Sequence, residues 1–155
     1  MKNRDMLNSA IRLLLLFALL AGCARTPVAN PPVSTASHAA TEIAASMVGK
    51  PYRYGGSTPQ GFDCSGLVYF SFQRAGIKVP RSTERLRKQG QPVDATHATR
   101  GDLVFFNQDG RYSSHVGIYL GNNRFVHAPS SGKRVRVDSL TDPYWRKNWV
   151  GVRRF

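Results

Sequence analysis

The hydrophobic pattern of this chain changes once, near Arg100, where the apolar period becomes two. Upstream of that point the pattern predicts three helices, at 39–48, from about 64 to a stop at Gly76, and at 82–90. Downstream it predicts five strands, at 103–106, 115–120, 124–128, 134–137 and 149–152. Helices followed by an antiparallel sheet indicate an α+β domain. Gly101 and Asp102, before the first of these strands, are predicted to be turn formers only.

The first 22 residues have the pattern of an export signal. Basic residues precede a short apolar stretch at 13–20, which is too short to span a bilayer permanently, and the small residues Ala21 and Gly22 follow. Residues 23–38 are rich in Pro, Ser, Thr and Ala without an apolar period, which predicts a disordered tether. Residues 39–155 remain as one folded domain, and a single tethered domain is expected to be a monomer.

The end of the export signal, Leu20-Ala21-Gly22-Cys23, resembles the bacterial lipobox. The resemblance implies cleavage before Cys23 and acylation of that cysteine, and hence a membrane anchor; an ordinary cleaved signal is the alternative. In such lipoproteins an aspartate after the lipidated cysteine often signals retention at the inner membrane, but Ala24 stands there. The expected location is therefore the outer membrane, facing the periplasm of a Gram-negative bacterium.

The chain is strongly basic, with a formal net charge of +13. This charge favours an anionic partner, and nucleic acid is not expected to be the partner of an exported protein. Acidic cell-wall or membrane material fits better, and an undirected basic surface is the alternative. The densest basic clusters are Arg81, Arg85, Arg87, Lys88, Arg153 and Arg154.

Cys64 lies where a polar, glycine-rich turn becomes an apolar helical segment, and Asp63 before it is a candidate N-cap. A helix N-terminus favours an anion, so the pattern predicts a thiol whose pKa is lowered and which can act as a nucleophile. The alternative is a small buried core residue. If Cys23 is acylated, Cys64 has no disulfide partner in an oxidising compartment, which favours catalysis; otherwise a Cys23–Cys64 disulfide is the competing explanation.

His115 and His127 flank a predicted hairpin. A three-residue loop at 121–123 would pair Leu120 with Arg124 and would place both histidines on one face of the sheet, within hydrogen-bonding reach. A two-residue loop would place them on opposite faces unless a bulge intervened.

Nucleophilic catalysis by a thiol requires a base and a third group that orients the base. Cys64, His115 and His127 are predicted to be the nucleophile, the base and acid, and the orienting residue. Taken singly, each histidine could be an ordinary sheet residue. A zinc site from the same three residues is a further alternative, but their spacing matches no usual metal motif, so no metal or other cofactor is expected.

Five segments in this order and spacing resemble the NlpC-type cell-wall cysteine peptidases over residues 42–155: 51–56 (PYRYGG), 61–66 (GFDCSG), 101–106 (GDLVFF), 115–119 (HVGIY) and 125–128 (FVHA). The resemblance implies a circularly permuted papain-like fold, with N-terminal helices packed on a five- to six-stranded antiparallel sheet. It implies hydrolysis of peptidoglycan (murein) peptides, with the catalytic residues falling on Cys64, His115 and His127.

The same resemblance implies supporting roles. Tyr52 would help the Cys64 backbone N–H to stabilise the oxyanion, and Asp63, Ser65 and Arg81 would hold the stem peptide. The alternatives are a core aromatic, a helix cap, a first-turn serine and a surface charge. Two other functions stay open: a lipoprotein that binds the wall or an enzyme without hydrolysis, and acyl transfer of the lecithin:retinol acyltransferase kind, which would require an apolar cleft.

Overall fold

The structure is a computed structural model that describes residues 35–155 except 109 and 131, and only the backbone of 111–113. The predicted export signal, Cys23 and most of the predicted tether lie outside the described residues. Within the described part, none of the helices has the length and apolar character needed to cross a bilayer.

The helices and strands appear in the predicted order. The helices are α1 (Thr35–Ser46), α2 (Cys64–Arg74), α3 (Thr83–Gln89) and α4 (Pro143–Lys147). The strands are β1 (Ser57–Thr58), β2 (Gly61–Phe62), β3 (Gln91–Val93), β4 (Leu103–Gln108), β5 (Arg111–Gly121), β6 (Arg124–His127), β7 (Arg136–Ser139) and β8 (Trp149–Arg154). The short elements β1, β2, β3 and α4 were not predicted, since each spans too few residues to show a period.

The main sheet has six strands in the order β3-β8-β4-β5-β6-β7, and every neighbouring pair is antiparallel. The predicted α+β class and antiparallel sheet are confirmed. β1 and β2 form a separate two-stranded ribbon just before α2. β5 lies in the interior of the main sheet, with β4 on one side and β6 on the other, so His115 is placed deep in the fold.

Both faces of the sheet are covered by apolar packing. On one face, Leu103 and Phe105 of β4 pack in a core with residues of the first three helices, including Leu67 and Leu86. On the other face, a smaller cluster contains Val93, Val104, Phe106, Tyr119, Phe125, Trp145 and Val152. Because successive side chains of a strand point to opposite faces, β4 is buried on both sides.

The β5–β6 hairpin has a different turn from the one predicted. Gly121 pairs with Arg124, so the loop has two residues, and both Asn122 and Asn123 have positive φ, as a type I′ turn requires. The predicted Leu120–Arg124 pairing is therefore wrong. A register shift between Tyr119 and Gly121 restores the predicted register beyond the turn, since Tyr119 faces Phe125 and Ile118 faces Val126. His115 and His127 consequently share a face.

Asp102 is not merely a turn former. Its carboxylate is fully buried and forms a bidentate ion pair with Arg154, with Arg154 Nε 2.6 Å from Oδ1 and a terminal nitrogen 2.7 Å from Oδ2. The carboxylate also accepts the Thr99 N–H at 2.7 Å. The pair ties the start of β4 to the end of β8. Sequence reading missed it because the partners are 52 residues apart.

Candidate active site

The start of α2 fixes the position of Cys64. Asp63 has extended backbone angles and its Oδ1 accepts the Gly66 N–H at 2.6 Å, which confirms the predicted N-cap. The loop before the helix packs against its first turn, because a Cβ at position 66 would lie 1.9 Å from the Gly56 carbonyl oxygen. Only glycine at position 66 permits this approach, and the packing fixes Cys64 as the first residue of the helix.

The Cys64 thiol is free and partly buried. Its sulfur lies 3.6 Å from Oγ1 of Thr83, the first residue of α3, within hydrogen-bonding distance. The side chain that hydrogen-bonds to the sulfur, among the described residues, is thus a hydroxyl and not an imidazole. The backbone N–H of Cys64 stands in the first turn of α2, where helical N–H groups have no partner within the helix.

The pKa of the Cys64 thiol is raised above its ordinary value. Burial is the largest cause, whereas the hydrogen bond from Thr83 and the neighbouring backbone N–H groups of Val116 and Ser65 lower the pKa by less. The predicted lowering of this pKa is therefore wrong for the ligand-free protein, because desolvation of the sulfur outweighs the field of the helix N-terminus. The resting form is the thiol.

His115 and His127 are in direct contact. His115 Nε2 lies 2.8 Å from His127 Nδ1, and the rings meet edge to face with centroids 5.0 Å apart. Both side chains are fully buried. The predicted proximity of the two rings is thus present, and the contact leaves Nδ1 of His115 as the nitrogen not engaged by His127.

Burial also governs the histidine pKa values. Desolvation and the neighbouring His127 hold the pKa of His115 well below 6.5, and desolvation lowers that of His127 as well. The charge of Asp138 raises the pKa of both rings, but by less than burial lowers it. In the ligand-free protein the two rings are therefore neutral at pH 7, which leaves one ring nitrogen of each able to accept a proton.

Asp138 on β7 extends the histidine pair. Its Oδ2 lies 3.0 Å from His127 Nε2 and also accepts the indole N–H of Trp145 at 3.0 Å. Arg136 donates to the same oxygen from two nitrogens, at 3.1 and 2.7 Å. Burial alone would raise the pKa of Asp138, but the hydrogen bonds from His127 and Arg136 outweigh it and hold the carboxylate ionised.

The indole of Trp145 shields the two imidazoles. It stacks on His115 with centroids 5.6 Å apart at 23°, and its edge-to-face contact with His127 has a centroid distance of 5.0 Å. Trp145 comes from α4, on the face of the sheet opposite α1 and α2, so the five-residue α4 contributes directly to the site.

Cys64 and His115 open into one cleft of about 920 Å³. Its walls come from the loop before α2, the start of α3 and the ends of the main sheet: Tyr52, Tyr54, Gly55, Asp63, Cys64, Ser65, Arg81, Ser82, Thr83, Glu84, Gln108, Ser114, His115, Pro129 and Ser130. His127 lies behind His115 and away from the cleft. A thiol and an imidazole in one open groove can act on a bound carbonyl compound.

The three predicted substrate-binding residues form one cluster on the wall of the cleft. Arg81 makes a bidentate ion pair with Asp63, at 2.9 and 2.8 Å, and donates to Ser65 Oγ at 2.8 Å. The guanidinium also donates to the Gly56 carbonyl at 3.1 Å. Two nitrogens of Arg81 are thus used to hold the cluster together, so the cluster presents a fixed polar surface beside Cys64.

Tyr52 lies in the same cleft, and the pKa of its phenol is raised, first by burial and then by the nearness of Cys64 and Asp63. Its backbone N–H donates to the Lys133 carbonyl, but within the described part of the chain its hydroxyl has no hydrogen-bonding partner. The hydroxyl is therefore free to donate to a ligand next to the sulfur.

Sequence reasoning missed Thr83, Asp138 and Trp145. Thr83 follows a serine N-cap and reads as an ordinary helix start, whereas Asp138 fell one residue beyond the predicted strand at 134–137. Among residues 35–155, apart from 109 and 131, the His, Cys, Asp and Glu side chains form no group of three that could hold a metal ion.

Comparison with known proteins identifies the family. The NlpC/P60 family model matches residues 49–154. The probable endopeptidase NlpC of Escherichia coli (strain K12) is 42% identical over 144 residues, which cover 88% of this chain and 92% of that protein. The murein DD-endopeptidase MepH of the same strain is 42% identical over 113 residues, which cover 70% of this chain but only 42% of MepH.

A solved structure agrees with the sequence comparison. This solved structure is a lipoprotein-like member of the NLP/P60 family from Staphylococcus aureus subsp. aureus Mu50. It superposes on this chain with a TM-score of 0.73 at 34% sequence identity, and the match covers 83% of this chain and 44% of the Staphylococcus aureus chain. The predicted papain-like α+β fold, circularly permuted as in NlpC-type domains, is confirmed by this likeness. The chain belongs to the NlpC/P60 family.

Proposed function

We propose that this protein is a murein endopeptidase that hydrolyses amide bonds of peptidoglycan stem peptides, or of the cross-links between them, through the Cys64 thiol. The observation that carries the proposal is the shared cleft of Cys64 and His115, with His115 backed by His127 at 2.8 Å. A nucleophile, a base and an orienting group are the three parts that acyl transfer by a thiol requires. The similarity to NlpC, a probable endopeptidase, and to MepH, a murein DD-endopeptidase, supports the assignment.

In the first half of the reaction, the sulfur of Cys64 attacks the scissile carbonyl carbon. The thiol proton passes to Nδ1 of His115, the nitrogen not bonded to His127, and the carbonyl oxygen becomes an oxyanion. Because the resting thiol is protonated, proton transfer accompanies attack and does not precede substrate binding. Collapse of the tetrahedral intermediate breaks the C–N bond, and His115 returns the proton to the leaving amine.

In the second half, water attacks the thioester carbonyl and gives its proton to His115. The C–S bond then breaks, the stem peptide leaves as a carboxylic acid, and the sulfur recovers its proton. His127 holds the His115 ring throughout. The Cys64 backbone N–H at the start of α2 and the Tyr52 hydroxyl, free of protein partners among the described residues, are the donors for the oxyanion.

The cluster of Asp63, Ser65 and Arg81 is the surface that holds the stem peptide beside Cys64. Arg81 donates from two nitrogens within the cluster, and Asp63 already accepts five hydrogen bonds, so the Nε–H of Arg81 and one lone pair of Ser65 Oγ remain for substrate. A stem peptide carries both amide N–H groups and carboxylates, which suit such a mixed polar wall.

The proposal includes a location. The protein is exported, acylated at Cys23 and anchored to the outer membrane, with the domain facing peptidoglycan in the periplasm. The motif Leu20-Ala21-Gly22-Cys23 followed by Ala24 supports this part of the proposal. Mass spectrometry of the mature protein purified from membranes should find residue 23 as a lipid-modified N-terminus, and a free amine at any other residue would contradict the anchor.

The test of activity uses the full chain, purified in mild detergent and incubated with isolated sacculi. Soluble muropeptides are identified by mass spectrometry. Wild-type protein should release peptides with new amine and carboxyl ends, and Cys64→Ala should release none. We expect His115→Ala to lower turnover more than His127→Ala does, because His115 accepts the thiol proton whereas His127 acts only by holding the His115 ring.

A different result would identify the alternative function. If the wild-type chain binds sacculi but cleaves nothing, and Cys64→Ala binds equally well, the protein is a non-hydrolytic wall-binding lipoprotein. Equal activity of His115→Ala and wild type would refute the assigned base. The products also distinguish the bond, because cleavage of a cross-link separates two stem peptides whereas cleavage within a stem shortens one.

A further inference from the structure

The geometry points to Asp138 as a fourth member of the site, a positioning residue whose carboxylate sets which nitrogen of each imidazole carries its proton. This inference rests on the proposed function, in which His115 accepts the thiol proton. The observation behind it is an unbroken line of contacts from Asp138 Oδ2 to His127 Nε2 at 3.0 Å, and from His127 Nδ1 to His115 Nε2 at 2.8 Å.

The line of contacts has one consistent arrangement of protons when both rings are neutral. An ionised carboxylate can only accept, so His127 must carry its proton on Nε2 and donate it to Asp138. Nδ1 of His127 then has a lone pair and accepts from Nε2–H of His115. Nδ1 of His115 is left without a proton, as a base in the cleft requires. The reverse arrangement would put a nitrogen lone pair 3.0 Å from an anionic oxygen.

Two donors keep the Asp138 carboxylate in place. Arg136 donates to Oδ2 from two nitrogens, and the Trp145 indole N–H donates to the same oxygen. Neither Arg136 nor Trp145 can accept a hydrogen bond, so both favour the ionised carboxylate over a neutral Asp138 that carries its proton on Oδ2. Trp145 also stacks on His115, so one indole holds both ends of the line of contacts.

The charge of Asp138 acts on both rings. It raises the pKa of His115 and of His127, whereas Arg136 lowers both and Lys133 lowers that of His127. The cleft that His115 faces also contains the titratable side chains of Tyr52, Tyr54, Asp63, Cys64, Arg81 and Glu84. When His115 becomes an imidazolium during turnover, the Asp138 carboxylate stabilises the developing positive charge from behind the ring, through His127.

The first test does not require activity. The full chain is labelled with ¹⁵N-histidine, purified in detergent, and its ring nitrogens are assigned by long-range ¹H–¹⁵N correlation spectra at pH 8. We expect both buried rings to carry their proton on Nε2. A proton on Nδ1 of either neutral ring would overturn the inference, even if the protein digests sacculi. Protons on Nε2 of both rings would support the inference, even if the protein does not digest sacculi.

The second test uses Asp138→Asn, which keeps the size of the side chain and removes the charge. We expect turnover on sacculi to fall about 10- to 100-fold, the range found when a group that orients a metal-bound histidine is removed. The acidic limb of kcat/KM should move to lower pH, because the carboxylate raises the pKa of both rings. The matched control is Asp94→Asn, an exposed carboxylate hydrogen-bonded to Thr96, which should leave both quantities unchanged.

A double-variant cycle separates positioning from folding. If Asp138 acts through His127, Asp138→Asn should change turnover less than twofold in a His127→Ala background, whereas a general structural defect would lower turnover there as much as in the wild type. Equal losses in both backgrounds, or an acidic limb that stays in place, would overturn the inference. Should Asp138→Asn fail to fold, the tautomers of the wild-type chain still decide.

Discussion

The sulfur of Cys64 lies 3.6 Å from the hydroxyl oxygen of Thr83, across the gap between the first residues of α2 and α3. Two helix starts therefore meet at the proposed nucleophile. The Thr83 hydroxyl lowers the pKa of a thiol that burial raises, so the two effects oppose each other at one atom. The hydroxyl can donate to the sulfur once the thiol proton has left.

Thr83→Val should make the thiol less reactive. Valine keeps the shape of threonine but removes the hydrogen bond, so the thiolate loses a stabilising donor and the pKa of Cys64 rises further. We expect alkylation by iodoacetamide at pH 7 to slow by about three- to tenfold, the effect of one hydrogen bond of ordinary strength. Thr83→Ser is the control, because it keeps the hydroxyl. An unchanged rate in Thr83→Val would show that Thr83 does not act on the sulfur.

Much of the site was readable from local pattern. The apolar period of two placed His115 and His127 on strands, and Asp63 before an apolar helical segment marked the start of α2. The shared face of the histidines was predicted with a three-residue loop. It arises instead from a two-residue turn and a register shift near Leu120, whose effects on side-chain direction cancel.

Other parts of the site could not be read from the sequence. Asp138 stands on a four-residue strand with mixed exposure, and its donor Trp145 lies on a five-residue helix, so neither element shows a period. The raised pKa of Cys64 depends on how deeply packing buries the sulfur, which the helix N-terminus alone does not determine. Tertiary contacts decide each of these features.

The buried histidines should make stability depend on pH. The pKa of each ring is lowered in the folded protein, so below about pH 6.5 the unfolded chain binds protons that the folded chain does not. The free energy of unfolding is thus unaffected by these rings above pH 6.5 and falls as the pH decreases, by up to about 1.4 kcal/mol per pH unit for each ring.

Urea unfolding at several values between pH 7.5 and 4.75 measures this slope. This pH window avoids the titration of Asp138. The pKa of Asp138 is lowered in the folded protein, so its carboxylate contributes full stability above pH 3.8, and that contribution is lost only at lower pH. His115→Gln should reduce the slope to roughly half, since one of the two buried rings is gone. A slope that His115→Gln leaves unaltered would mean that His115 titrates normally in the folded protein.

Breaking the Asp102–Arg154 pair should strongly destabilise the fold. Asp102 is fully buried and Arg154 is 6% exposed, so removal of either partner leaves a buried charge without its counter-ion. We expect Asp102→Ala or Arg154→Met to lower the free energy of unfolding by about 3–5 kcal/mol. Chemical denaturation measures the loss.

The double variant Asp102→Leu with Arg154→Met is the comparison. It removes both charges, so it should lose less than the sum of the single variants, although the Thr99 N–H also loses its acceptor. Additive losses would contradict direct coupling of the pair. The active-site cleft contains neither residue, so the remaining folded protein should keep the wild-type rate of thiol alkylation.

Two alanine substitutions in α2 should have opposite effects. At Gly66, an added Cβ would lie 1.9 Å from the Gly56 carbonyl oxygen, so Gly66→Ala must displace the loop that carries Gly55 and Gly56. We expect the free energy of unfolding to fall by about 1–3 kcal/mol and alkylation of Cys64 to become slower. At Ser71, the buried hydroxyl has no hydrogen-bonding partner in the part of the chain that the structure describes, so Ser71→Ala should be neutral or should stabilise by about 1 kcal/mol. Thermal unfolding of both variants measures the contrast. Similar destabilisation by both would indicate that α2 tolerates no change, and that contact with Gly56 is not the specific constraint.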